Sequence, residues 1–567
     1  MKRSACRPAG PVSSRTTHRG MVLVIVLIIV VMVSLAGFSF VATMHNEDKA
    51  TRMRGDELQA EQLMQSGVET VQVRLASKNA AADVAGSGSP ETRFHGVLVF
   101  DDPVSRQRGR FTVLSPSVDN GQTIRCRYGL ENESAKLNLV ALLRWEQRQP
   151  NAGRDALLRL PGMTDSIADA LLDWVDADDA PRPLGAESEF YASLEPSFAP
   201  RNGPAECLEE LLLVRGVTRQ LLYGRDVNRN FQIEPEETAP AGNSLPGITL
   251  EEADAGLPWF VLLTVHSSER NVNPQGQPRL NLNDPNLSQL HGQLRQAIGP
   301  DLADFAVALR QFGPSQSGSS NVVTSVAIDP HLPASYSLAS PLDLVNARVA
   351  VPVRDDSPAQ VLVSPLSEQN PDYRDRLLQL LDFVTTIPRP VLRGRINVNL
   401  APAPVLQAVP GLDAGLADRI VAARRGQESG SQPERRHPVW LLFERIVDLP
   451  RMKTLLPFLT CGGDVFRAQI VGFFDSPGPS CRAEIVFDAT QSPPRVLYCK
   501  DLRVLGRGHS DQVLGIVSAD EQSTSGDPAV VPPPRETGPA TMARPPRSPR
   551  GSVRSGQLSS DGGQGLD

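Results

Sequence analysis

Six cysteines in a chain of 567 residues are too few to staple a disulfide scaffold. Positive charge is not in excess either. The 57 Lys and Arg stand against 64 Asp and Glu, a net charge of -7, which argues against gripping nucleic acid with the whole surface. Mean hydropathy of -0.21 excludes a multi-pass membrane protein. No G-x-S-x-G elbow, P-loop or dinucleotide fingerprint is present. The histidines at 18, 45, 95, 266, 291, 331, 437 and 509 stand without the spacing of a metal-ligand set. No enzyme is expected. The 44 glycines and 49 prolines predict long connections between several folded units.

One long apolar run is there. Residues 1–20 hold Lys2, Arg3, Arg7, Arg15 and Arg19 and no acid, and from Met21 to Met44 no side chain ionises. As a helix that run reaches roughly 36 Å, enough to cross a bilayer, with the basic leader cytoplasmic and everything after His45 outside. It is longer than the apolar part of a secretory signal, and no A-x-A-like site follows. Beyond it Ala60, Met64, Val68, Val71 and Leu75 recur at helical steps, with Glu57, Glu61 and Glu69 off the stripe. This predicts a helix that continues and packs on a globular head. Phe94–Phe100, Arg108–Leu114 and Thr123–Leu130 read as short strands.

Two later segments share a pattern of Asn lead-in, helix, Pro-Gly turn and second helix. One runs from Asn138 through Pro161-Gly162 to Trp174, the other from Asn397 through Pro410-Gly411 to Arg424; Leu211–Gly216 begins a partial third copy. This is a helix-hairpin-helix pattern, of SAM-like type. Its DNA-binding form usually has a second Gly where this chain has Thr164 or Asp413, and the first copy runs into Asp173, Asp176, Asp178 and Asp179, which would repel phosphate. Packing or protein contact is the expected role, and no nucleic acid is expected.

His18-Arg19-Gly20 before the apolar run resembles the type IV prepilin leader, which a prepilin peptidase cuts after Gly20 to leave Met21 as the mature, methylated start. Ile25 stands where most pilins carry Glu, a pattern similar to the GspK-type minor pseudopilins of type II secretion. Leu171–Tyr191, Pro200–Thr218 and Asn397–Leu412 resemble the central helical domain of the same family. The resemblance implies an α+β fold: a long N-terminal transmembrane pilin helix and a pilin-like α/β head with a large inserted helical domain. It also implies a non-enzymatic subunit capping the pseudopilus with other minor pseudopilins, in the inner membrane as a single-pass protein with its bulk periplasmic. Two alternatives are a minor pilin of a type IV pilus-like fibre and a membrane-anchored DNA-binding protein of DNA uptake.

The predicted organisation is a leader at 1–20, the membrane half of the helix at 21–44, the rest of the helix and first strands at 45–130, and a first hairpin module at 131–225. An enlarged, loop-rich insert follows at 226–390, a second module at 391–460, a closing β-element at 461–509 and a disordered tail at 510–567.

Two places suit a hard cation. Asp226, Asn228, Asn230, Gln232, Glu234 and Glu237 have the spacing of an EF-hand calcium loop, but Phe231 stands at position six, where Gly normally supplies a positive φ. Asp176, Asp178 and Asp179, with Glu187 and Glu189 nearby, form a second acidic cluster. Ca²⁺ is therefore an expected cofactor, which the family resemblance also implies. Cys481 and Cys499 flank two strand-like runs and are a candidate disulfide, free thiols being the alternative.

Overall fold

The computed structural model describes residues 19–77, 93–119, 123–238, 256–315, 321–352, 360–424, 433–476 and 478–516. The leader up to His18 and everything after Ile516 therefore lie outside the described residues.

Helix α1, Arg19–Ala76, is 58 residues long, about 87 Å at the ordinary helical rise. Its first half exposes every large apolar side chain from Met21 to Met44 and is long and apolar enough to cross a membrane. Its second half buries Ala60, Met64, Val68, Val71 and Leu75, the stripe that the periodicity marks. Strands β1 (Val97–Phe100), β2 (Gly109–Asp119), β3 (Thr123–Tyr128) and β4 (Glu131–Asn132) follow.

The chain then leaves the head for three units, each opened and closed by short strands that pair in parallel. In the first, β5 (Leu137–Asn138) pairs with β6 (Leu263–Thr264) and encloses α2 (Leu139–Arg148), α3 (Ala152–Leu157), α4 (Asp165–Val175) and α5 (Arg219–Tyr223). Strand β7 (Ser268–Arg270) leads to the second unit, opened by β8 (Leu280–Asn281). This unit holds α6 (Leu287–Ile298), α7 (Pro300–Phe312), a small sheet of β9 (Val322–Val323), β10 (Arg348–Val351) and β11 (Gln360–Val363), and α8 (Tyr373–Phe383). It closes with β12 (Val384–Thr385) against β8, and β13 (Val391–Arg393) then pairs with β7. In the third, β14 (Ile396–Asn397) pairs with β15 (Leu459–Thr460) around α9 (Ala403–Gln407) and α10 (Ala414–Arg424). The 226–390 stretch is thus not simply a loop-rich enlargement, because a middle unit at 280–385 repeats the clasp of its neighbours.

The clasps share their chemistry. Asn138, Asn281 and Asn397 each accept, on the side-chain oxygen, the N–H two residues on. Thr264, Thr385 and Thr460 do the same with the hydroxyl. Gly162 and Gly411 sit at φ 67° and 90° in the Pro-Gly turns, where a side chain would be strained.

The chain returns as β16 (Val465–Phe474), β17 (Cys481–Asp488) and β18 (Arg495–Asp501). The seven-stranded sheet has the order β1-β2-β16-β17-β18, with β3 on β2 and β4 on β16. Departure and return are adjacent, since Asn132 on β4 pairs with Phe466 on β16. The α1 backbone crosses directly over Gly472, where an added Cβ would lie 2.3 Å from the Ala60 carbonyl oxygen. The C-terminal segment is packed further than the expected boundary at 510. Helix α11 (Asp511–Leu514) buries Leu514, whose carbonyl accepts the Thr112 hydroxyl at 2.8 Å.

A buried ionic cluster joins head to helical domain. Glu133 is 0% exposed; it accepts Arg467 Nε at 2.7 Å and the Thr264 hydroxyl, and faces Lys136 at 3.5 Å. Burial opposes its charge, but Arg467 and Lys136 outweigh this and hold its pKa well below the usual carboxylate range. A lowered acid pKa contributes stability above the unfolded value and loses it as pH falls. Arg467→Ala would strand a buried carboxylate, so we expect a loss of about 3–5 kcal/mol in denaturant unfolding, with a weaker dependence on acid than in the parent.

Candidate metal centres

The stronger of the two acidic places sits where α4 ends. Thr164 caps the start of that helix by accepting the Ile167 N–H, and Asp173 and Asp176 emerge at its C-terminal end. Arg182 folds back to bind Asp173 and Asp176, each at 2.6 Å. Asp176, Asp178 and Glu187 then present oxygens that all lie within 4.8 Å of one another. Ca²⁺ binds oxygens at about 2.3–2.6 Å, so one ion could touch all three. Glu187 is 4% exposed, and among the described residues neither of its oxygens nor Asp176 Oδ1 has a hydrogen-bond partner. Such orphaned buried oxygens are the donor set that a hard cation requires.

Electrostatics agrees with the geometry. Burial first, then Asp173, Asp176, Asp179 and Asp178, push the Glu187 carboxyl up to about 7. Asp179 lies outside the trio and accepts the Ser188 N–H at 3.2 Å. Glu189 is exposed. Sequence reasoning named Glu187 only as a neighbour, and no spacing rule marks it, because the turn at 177–187 brings it back.

The 226–237 loop closes on itself. Asp226 is buried and accepts the N–H groups of Asn230 at 3.0 Å and Phe231 at 2.8 Å; burial pushes its carboxyl up to about 6. Asn228 and Asn230 each donate a side-chain amide to Glu234, and Asn230 Oδ1 accepts the Gln232 N–H. Glu237 accepts N–H groups of Val227, Asn228 and Glu234 on its two oxygens, so it would have to release them to bind a metal bidentately. Phe231 does take the positive φ of position six, at 66°, with its ring buried against Phe260. That packing offsets the strain that a Cβ creates there. The loop also ties to the head sheet, since the carbonyls of Asn228 and Arg229 accept Arg482 and Gln469.

Cys481 and Cys499 form no disulfide: all five described cysteines are free, and the β17–β18 ladder sets Ile485, not Cys481, opposite Cys499. Thr164 and Asp413 accept the N–H groups of Ile167 and Leu416, amides that a phosphate would otherwise use. Arg19 and Gly20 already belong to α1, and Met21 is exposed on it.

Two family models match the chain, both described as type II secretion system protein K, over residues 135–223 and 396–430. These two segments are similar to protein K of type II secretion systems. The acidic trio lies inside the first matched segment, and the 226–237 loop lies outside both. Among solved structures, the GspK-GspI-GspJ complex of the enterotoxigenic Escherichia coli type II secretion system aligns over 80% of this chain and 99% of that chain. At 12% identity and a TM-score of 0.35 the likeness adds nothing to the assignment. No curated protein matches the sequence.

A raised acid pKa acts oppositely to that of Glu133: stability is full below the unfolded value and is lost as pH rises through the folded one. Without divalent cations, the melting temperature should fall between about pH 4.5 and 7, with Asp226 adding to Glu187. Glu187→Gln should flatten the upper part of that fall in calorimetry.

Proposed function

We propose that this protein caps the pseudopilus of a type II secretion system and promotes its assembly, and with it protein export across the outer membrane. The observation that carries this reading is the head: a membrane-length helix packed on an antiparallel sheet, with residues 133–464 hung between adjacent strands β4 and β16. A head this wide would clash along a fibre shaft and fits an end. Ile25, in the apolar half of α1, agrees with that place, because no subunit above needs its amine neutralised.

The anchor crosses the inner membrane once, with the basic leader cytoplasmic and the head periplasmic. Prepilin peptidase cuts between Gly20 and Met21, and Met21 is methylated. Other minor pseudopilins dock on the head, for which β1 offers an apolar sheet edge: Leu98, Val99 and Phe100 are 45%, 42% and 57% exposed. Mass spectrometry of the mature N-terminus tests the assignment. A start at Met21 that disappears without the peptidase is expected, and an intact Met1 would overturn it.

Calcium fills the Asp176–Asp178–Glu187 site and orders the turn between α4 and the Ser188–Ala192 helix. At about a hundred times its Kd, calcium should stabilise the protein by about 2.7 kcal/mol. Glu187→Gln should remove most of that gain while Glu234→Gln keeps it; the reverse would move the ion to the 226–237 loop.

A further inference from the structure

The helical domain carries a charge pattern that the fibre-capping role does not use. Between α2 and residues 386–395 runs a groove of about 850 Å³, within the range of ligand clefts. Arg144, Arg148, Arg389, Arg393 and Arg395 line it, and no Asp or Glu among the described residues does, in a chain whose net charge is -7. Arg395 is neutralised by Glu269 at 2.9 Å. The other four form no ion pair among the described residues.

Their proximity is imposed by the fold. Arg144 is half-buried and donates to the Arg393 carbonyl at 3.2 Å. Burial, then Arg389, Arg393 and Arg148, hold its pKa below the usual guanidinium value. Pro388 and Pro390 restrict the backbone that carries Arg389. Gly394 lets that segment lie on α2, since an added Cβ would sit 2.2 Å from the Ala141 Cβ. Like charges held together in a cleft focus a positive potential that only an anion relieves.

We propose that this groove binds an acidic, extended segment of a partner polypeptide. Guanidinium forks pair with carboxylates bidentately. Among the described residues strand β13, which contributes Val391, Leu392 and Arg393 to the lining, pairs with β7 alone; an extended chain added along its other edge would displace Arg144 from the Arg393 carbonyl and free that guanidinium for a carboxylate. The floor is apolar, from Ile387, Leu392 and Pro457. Nucleic acid fits less well: the aromatic ring in the lining, Trp145, is 4% exposed and offers no face for bases to stack on.

The test uses the full chain in detergent and a fluorescent peptide rich in Asp and Glu, read by anisotropy. Binding should weaken at least about tenfold in the double variant Arg389→Glu/Arg393→Glu, both exposed positions, and on raising salt well above physiological strength. Arg348→Glu, an exposed site outside the groove, controls for charge reversal elsewhere on the surface and should leave binding within about twofold, as surface charge alone is screened. Arg144→Gln should weaken binding without reversing charge, and thermal melts of all variants check that the fold is kept. Absence of peptide binding, equal loss in Arg348→Glu, or tighter binding of an oligothymidylate of similar length would each overturn the proposal. None of these outcomes depends on peptidase processing or fibre assembly, so failure here is distinguishable from failure of the capping role.

Discussion

A carboxylate with no access to water must bring its cations with it, and Glu133 sets that condition for the whole head. Its partners come from three places: Lys136 beside it, Arg467 on the returning strand β16 and Thr264 at the end of the first helical unit. Lys136 is local, but the other two cannot reach Glu133 until the chain has left the sheet, folded a unit and come back. Buried ion pairs add little net stability over an apolar equivalent, but a half-formed one is costly. The cluster therefore makes docking of the helical domain on the sheet all-or-none.

The same logic recurs further out. Glu269 sits between Arg395 and the Thr460 hydroxyl, so the third unit's closing strand is held as the first unit's is. Asn271 reaches Thr385 and the carbonyls of Ile387 and Arg389, tying the second unit's end to the linker before it. Each clasp is only two residues long on a side, too short to persist alone, and each relies on a polar side chain supplied from outside its own unit.

Some of this was legible in the residues. The α1 stripe could be read because packing on a sheet imposes helical spacing, and the hairpin turns because Gly162 and Gly411 are conformationally obligatory there. The repeat of three clasps could not: a strand of two residues has no period, and Leu-Asn or Val-Thr is unremarkable in isolation. The middle unit was obscured further by its Pro- and Ser-rich connections. The acidic trio was half legible, since Asp176 and Asp178 are two residues apart in sequence, but Glu187 arrives by a turn and becomes significant only through burial. The arginine groove was invisible for a related reason, because Arg144 and Arg393 meet only when the first unit packs against the linker to the third.

The meeting of β4 and β16 at Asn132 and Phe466 has a mechanical consequence. A pull along α1 is delivered to the sheet directly, by its packing on β2, β16 and β17. Since that domain leaves and rejoins the sheet side by side, it lies in parallel with the load, not in series. Tension applied along α1 would pass by the three units without stretching them. The acidic trio and the arginine groove alike would keep their geometry while the head is moved.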